Sequence, residues 1–88
     1  MSKGKSGVSG GQIRAARALL DISAQDLADA TKLSRGTIQR AELENAQVTV
    51  ANMERIVEVL HAMGVTFISA DGDGAGVRLR KPGLATRK

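Results

Sequence analysis

The sequence contains no cysteine, tryptophan or tyrosine, and only one phenylalanine, one histidine and one proline. Without cysteine there is neither a disulfide framework nor a thiolate zinc site. A lone histidine, His61, excludes a multi-histidine metal centre, so no metal or other cofactor is expected. A lone aromatic, Phe67, leaves the core to aliphatic side chains. It also removes the stacking platforms on which single-strand nucleic-acid binders rely. No apolar run approaches the ~18 residues of a membrane span. Met1-Ser2-Lys3-Gly4-Lys5-Ser6-Gly7 has no apolar stretch behind its lysines and does not read as a signal peptide. The resulting expectation is a cytoplasmic protein with no membrane partner.

What is present is an 88-residue chain, 42% hydrophobic and 25% charged, the composition of a globular rather than a disordered protein. That length suits one domain. So small a core is marginal, because a short chain buries a smaller share of its surface, and dimerisation would help. The net charge of +4 is unevenly spread. Residues 1–10 contribute +2 through Lys3 and Lys5, residues 11–64 hold six Lys/Arg against seven Asp/Glu, and residues 65–88 hold five against two. The excess lies in the ends, where it can track phosphates or simply keep termini solvated.

Residues 1–10 are mostly Gly, Ser and Lys, with Val8 apolar behind the initial Met1, and read as a flexible basic N-terminal arm. Ile13, Ala16, Arg17 and Leu20 then fall on one stripe of a first helix. Ser23 caps a second, with Asp26 placed to return the bond and Leu27, Ala28 and Ala30 as its inner face. That helix stops near Thr31, because Ser34 caps a third over Arg35 to Leu43. A turn this tight forces a steep crossing, so Ser23 to Glu42 reads as a helix-turn-helix. Ile38 and Ala41 point inward on the third helix. Asn45 suits a left-handed helix end. Thr49 caps a fourth helix with inner residues Val50, Met53, Ile56, Val57, Leu60 and Met63, closed by Gly64.

Beyond Gly64 the period changes. Val65-Thr66-Phe67-Ile68-Ser69 and Val77-Arg78-Leu79-Arg80 flank the turn sequence Asp71-Gly72-Asp73-Gly74-Ala75-Gly76, which makes a β-hairpin. The fold is therefore read as mainly α: a four-helix domain over residues 11–64, a hairpin over 65–81 and a basic tail over 82–88. Two readings of the hairpin stay open. It either closes the core with Phe67, Ile68, Val77 and Leu79, or its edge strand, or else the fourth helix, pairs with a second subunit.

Over residues 12–64 the chain resembles the Cro/repressor-type, or XRE-family, helix-turn-helix regulators. The points of match are Arg17, Leu27-Ala28, Leu33-Ser34, Ile38 and Glu42, in order and at matching spacing. The segment Thr49 to Gly64 resembles the family's closing helix and Val65-Thr66-Phe67 its usual sequel. The resemblance implies a repressor-like domain in which Arg17 pairs with Glu42 and fixes the third helix to the scaffold. The small Ala28 lets the crossing helices approach. Departures stand beside these matches. Ala24 replaces the family's phosphate-contacting glutamine, Lys32 and Glu44 stand where glycine is usual, and Gly36 sits inside the third helix.

In such proteins the second helix of the motif enters the major groove. The resemblance therefore places Arg35, Gly36, Thr37, Gln39 and Arg40 at base edges, where arginine can fork onto guanine and glutamine onto adenine. Gln25, Lys32, Asn45 and Gln47, in flanking positions, are the expected phosphate contacts. The implied partner is double-stranded DNA, as a palindromic operator bound by a homodimer. The implied function is transcriptional repression or activation. The alternative is a protein-interaction module, such as an antitoxin or antiactivator, using the same fold on a partner protein.

Other signals fall short. Gly4-Lys5-Ser6 lacks the earlier glycine of a phosphate-binding loop, which would fall before Met1. In Asp71-Gly72-Asp73-Gly74 the later calcium-ligand positions are Ala75 and Pro82. His61 has no nucleophile or acid beside it in the pattern. An enzyme is not expected.

Overall fold

The computed structural model describes residues 7–44, 48–70 and 72–80. The order is α1 (Gly10–Leu20), α2 (Ala24–Thr31), α3 (Arg35–Glu42), α4 (Val50–Ala62), β1 (Val65–Ile68) and β2 (Gly76–Leu79). This is the mainly helical domain with a C-terminal hairpin that the sequence implies.

Hydroxyl caps start every helix. Ser9, Ser23, Ser34 and Thr49 each accept the amide three residues on, satisfying donors that the helix itself leaves unpaired. At Ser23 the bond is reciprocated by Asp26, as the spacing suggested. Among the described residues, three connections use left-handed backbone at non-glycine positions: Asp21, Lys32 and Glu44, with φ of 58°, 63° and 60°. Each costs ~1 kcal/mol relative to a right-handed residue. Lys32 and Glu44 thus adopt conformations for which glycine is the easier choice. Gly64 closes α4 at φ 113°.

The core is aliphatic. Ile13, Ala16, Leu27, Ala28, Ile38, Ala41, Ile56, Leu60 and Val65 are buried together, with Val8 joining them. Phe67 and Val77 pack against this cluster, and β1 and β2 pair antiparallel, with Val65 opposite Leu79 and Phe67 opposite Val77. The hairpin therefore closes the core with one face, while Ile68, opposite Gly76, belongs to the other.

Four sequence expectations change. Val8 is buried and α1 starts at Gly10, so the end of the segment read as an arm is part of the domain. Ala30 is exposed, and Thr31 takes the inner place on α2, its hydroxyl bonding back to the Leu27 and Ala28 carbonyls. On α4, Val50 and Met63 are 43% and 39% exposed rather than internal, because they sit in its first turn and at its C-cap, the two ends of the helix. The strands are shifted, ending at Ile68 and starting at Gly76. Asn45, Gln47 and the tail 82–88 lie outside the described residues.

Candidate nucleic-acid interface

α3 is only eight residues long, and on its own would not hold a helical form in water. Its far end is fixed by three contacts from α1. The Arg17 guanidinium forks onto Glu42, with Nε 2.7 Å from Oε2 and Nη2 3.0 Å from Oε1. Its remaining Nη1 donates to the Ile22 carbonyl at 3.2 Å, which ties in the connection between α1 and α2. Arg14 Nη1 donates to the Glu42 carbonyl at 2.8 Å, satisfying an acceptor exposed by the end of the helix. The Gly10 amide donates to the Glu44 carboxylate at 3.1 Å, placing that anion at the positive end of α1.

A lysine in place of Arg17 would offer no planar pair of donors for this fork. Hydrogen bonding to Glu42 raises the Arg17 pKa above the ordinary arginine value, against an opposing effect of partial burial. A cation raised in this way adds stability below its ordinary pKa and loses it only as pH climbs through the raised value. The clamp therefore persists into strongly alkaline solution. Gly10 matters for a steric reason. A Cβ there would lie 2.6 Å from the Ala41 carbonyl oxygen and closer still to that of Glu42, so only glycine lets α1 meet the end of α3.

The opposite side of α3 is open. Arg35, Gln39 and Arg40 are exposed, and Gly36 and Thr37 half-buried. Among the described residues neither Arg35 nor Gln39 has a side-chain hydrogen-bond partner. Thr37 and Arg40 differ. The Thr37 hydroxyl lies 2.9 Å from Ser34 Oγ, and Arg40 Nη2 donates to it at 3.3 Å. Of the five positions expected to face bases, three are thus exposed and two half-buried, none of them among the buried residues of α3.

The flanking positions are less uniform. Lys32 is exposed at the left-handed end of α2, two residues before the Ser34 cap of α3. Gln25 is exposed too, but its amide donates to Asp29 on its own helix at 3.0 Å. Ala24 packs against the core, so this position can offer a phosphate nothing but its backbone. Asn45 and Gln47 lie outside the described residues.

Sequence reasoning passed over Gly10, Arg14 and Gln12. Ser9-Gly10-Gly11-Gln12 carries a legible signal, the spacing of a capping box, and both of its bonds are present. Arg14 and Gly10 carry none, because the Glu42 carbonyl that Arg14 bonds and the α3 backbone that Gly10 lies against are some 30 residues away, which no local pattern encodes.

The molecule also has a groove of about 430 Å³ lined by residues that include Val8, Gln12, Val57, His61 and Phe67, and none from α2 or α3. Among the described residues no helix is long and apolar enough to cross a membrane, and no group of three or more His, Cys, Asp or Glu could hold a metal ion.

A helix-turn-helix family model matches residues 13–67, spanning α2, the turn and α3 whole and running from α1 into β1. A comparison with curated proteins finds no match.

Proposed function

The chain belongs to the Cro/repressor-type helix-turn-helix family of DNA-binding regulators, and from that premise we propose that it is a sequence-specific regulator that reads double-stranded DNA with α3. The observation that carries this reading is the exposed side of α3, where Arg35, Gln39 and Arg40 stand outward from a helix whose far end is clamped to α1. Arg35 and Arg40 supply forks for guanine and Gln39 a bidentate partner for adenine, each worth roughly 1–3 kcal/mol of discrimination. Gly36 allows close approach of the backbone, and Thr37 lies within the same face. Lys32 and Gln25 contact phosphate, Gln25 by exchanging its Asp29 partner, and Asn45 and Gln47, which follow α3 in sequence, join them. The chemistry of the site is recognition, with no enzymatic step, and the setting is the cytoplasm.

Reading a palindromic operator calls for a homodimer with half-sites about one DNA turn apart. Two exposed apolar side chains support a contact at the foot of the hairpin. Leu79 and Met63, 45% and 39% exposed, each precede a partner in the Arg80 to Gly64 backbone hydrogen bond. The second reading, capture of a protein partner as by an antitoxin or antiactivator, is favoured by Leu43, a leucine 72% exposed at the end of α3.

A mobility-shift titration against the DNA upstream of the chain's own gene, at several salt concentrations, separates the two. Regulation of that DNA gives sequence-selective binding that falls steeply with salt. Replacing Arg35 and Arg40 with alanine should abolish the selectivity, and unchanged affinity and preference would overturn the assignment.

A further inference from the structure

We propose that Thr37 is a positioning residue for Arg40, holding its guanidinium ready to meet a guanine edge; this rests on the base-reading role given above to α3. Arginine side chains on a helix run back toward its N-terminus, over the residues three and four positions earlier. For Arg40 these are Thr37 and Gly36. The Thr37 hydroxyl accepts from Arg40 Nη2 at 3.3 Å, and it is itself held 2.9 Å from Ser34 Oγ. Ser34 also receives the Thr37 backbone amide at 3.0 Å, so hydroxyl and backbone are fixed by one cap. Thr37 is β-branched and has few rotamers available in a helix. The anchor under Arg40 is therefore stiff.

Gly36 supplies the room. A Cβ at that position would touch Arg40 Nη1 at 3.4 Å, so the guanidinium lies alongside a residue without a side chain. One of its N–H groups is used by Thr37, and the rest of the fork stays available. The group rests at the N-terminal end of α3, the end that meets base edges in this docking mode. Arg35 and Gln39, with no such partner, must be ordered by DNA itself. Arg40 is the pre-set reader, and the Thr37 hydroxyl, occupied on both sides, acts through it rather than on a base.

The test uses the full 88-residue chain and a duplex that it selects from a random-sequence pool. Affinity is measured for that duplex and its single-base-pair variants with Thr37→Val, Thr37→Ser, Arg40→Ala and the Thr37→Val/Arg40→Ala pair. Thr37→Val keeps the backbone bond to Ser34 and should weaken binding about three- to tenfold, the cost of ordering one free side chain. The loss should centre on the base pair that Arg40→Ala no longer distinguishes, Thr37→Ser should restore it, and Thr37→Val should add nothing to Arg40→Ala. Full additivity in the double variant means that Thr37 touches DNA itself and overturns the proposal, as does wild-type binding by Thr37→Val. An Arg40→Ala variant that binds normally would instead defeat the base-reading role. In that case guanidinium rotation in the unbound chain, followed by NMR, still decides the point: slower in wild type and Thr37→Ser than in Thr37→Val, or equal in all three if the anchor does not exist.

Discussion

The two sides of α3 obey opposite rules. Its inner side and C-terminal end are specified almost atom by atom, with Glu42 held by a two-toothed arginine, its carbonyl by Arg14 and its backbone pressed against Gly10. Its outer side carries Arg35 and Gln39 with no partner among the described residues and Arg40 on one long hydrogen bond. The first side spends its polar groups on holding the helix still. The second keeps them for a ligand. A recognition helix of eight residues needs both.

That contrast can be broken most forcefully at Arg17. Arg17→Ala leaves the Glu42 side chain, 7% exposed, without its cation. Removing one member of such a pair should cost about 3 kcal/mol in chemical denaturation. Arg17→Lys should recover only part of this, because a point charge cannot replace the fork. Gly10→Val comes next, at about 2–3 kcal/mol, since backbone carbonyls of α3 have to move to admit the side chain. Gln12→Leu should cost about 1–2 kcal/mol through the two hydrogen bonds lost to the Ile68 and Gly76 carbonyls, with faster amide exchange in the hairpin as its local signature. The smallest change in stability should follow Arg35→Ala and Arg40→Ala, each within about 0.5 kcal/mol as measured by thermal melting. Equal losses on both sides of α3 would erase the contrast.

Much of the inner side is legible from local pattern. Ser23, Ser34 and Thr49 mark helix starts because a hydroxyl three residues before a free amide has one obvious use. The Arg17 and Glu42 pairing follows from resemblance to the family and stands at 2.7 Å. Elsewhere local pattern fails for definable reasons. Val8 reads as part of a polar arm because its neighbours are glycine and serine, yet the core it enters is assembled from α1, α2, α3, α4 and β1. Ala30 and Thr31 exchange roles because Thr31 satisfies its hydroxyl within its own helix and can then be buried. Val50 and Met63 keep the period of a buried stripe but lie at the extremes of α4 and stay partly exposed. On the outer side, sequence identifies the exposed residues of α3 but not the Ser34–Thr37–Arg40 chain, which depends on rotamers.

Gln12 has a further consequence, for folding order. Its carbonyl oxygen accepts the Ser9 amide, while its amide nitrogen donates to the Ile68 and Gly76 carbonyls, 56 and 64 residues away along the chain. A bond of that span closes late, after the helices have formed, because the entropy of closing so long a loop must be met first. The hairpin and the opening turn of α1 then behave as one cooperative unit, and opening either releases the other. Shortening the N-terminus past Ser9 would thus be felt at the far end of the chain, as a hairpin that unlatches.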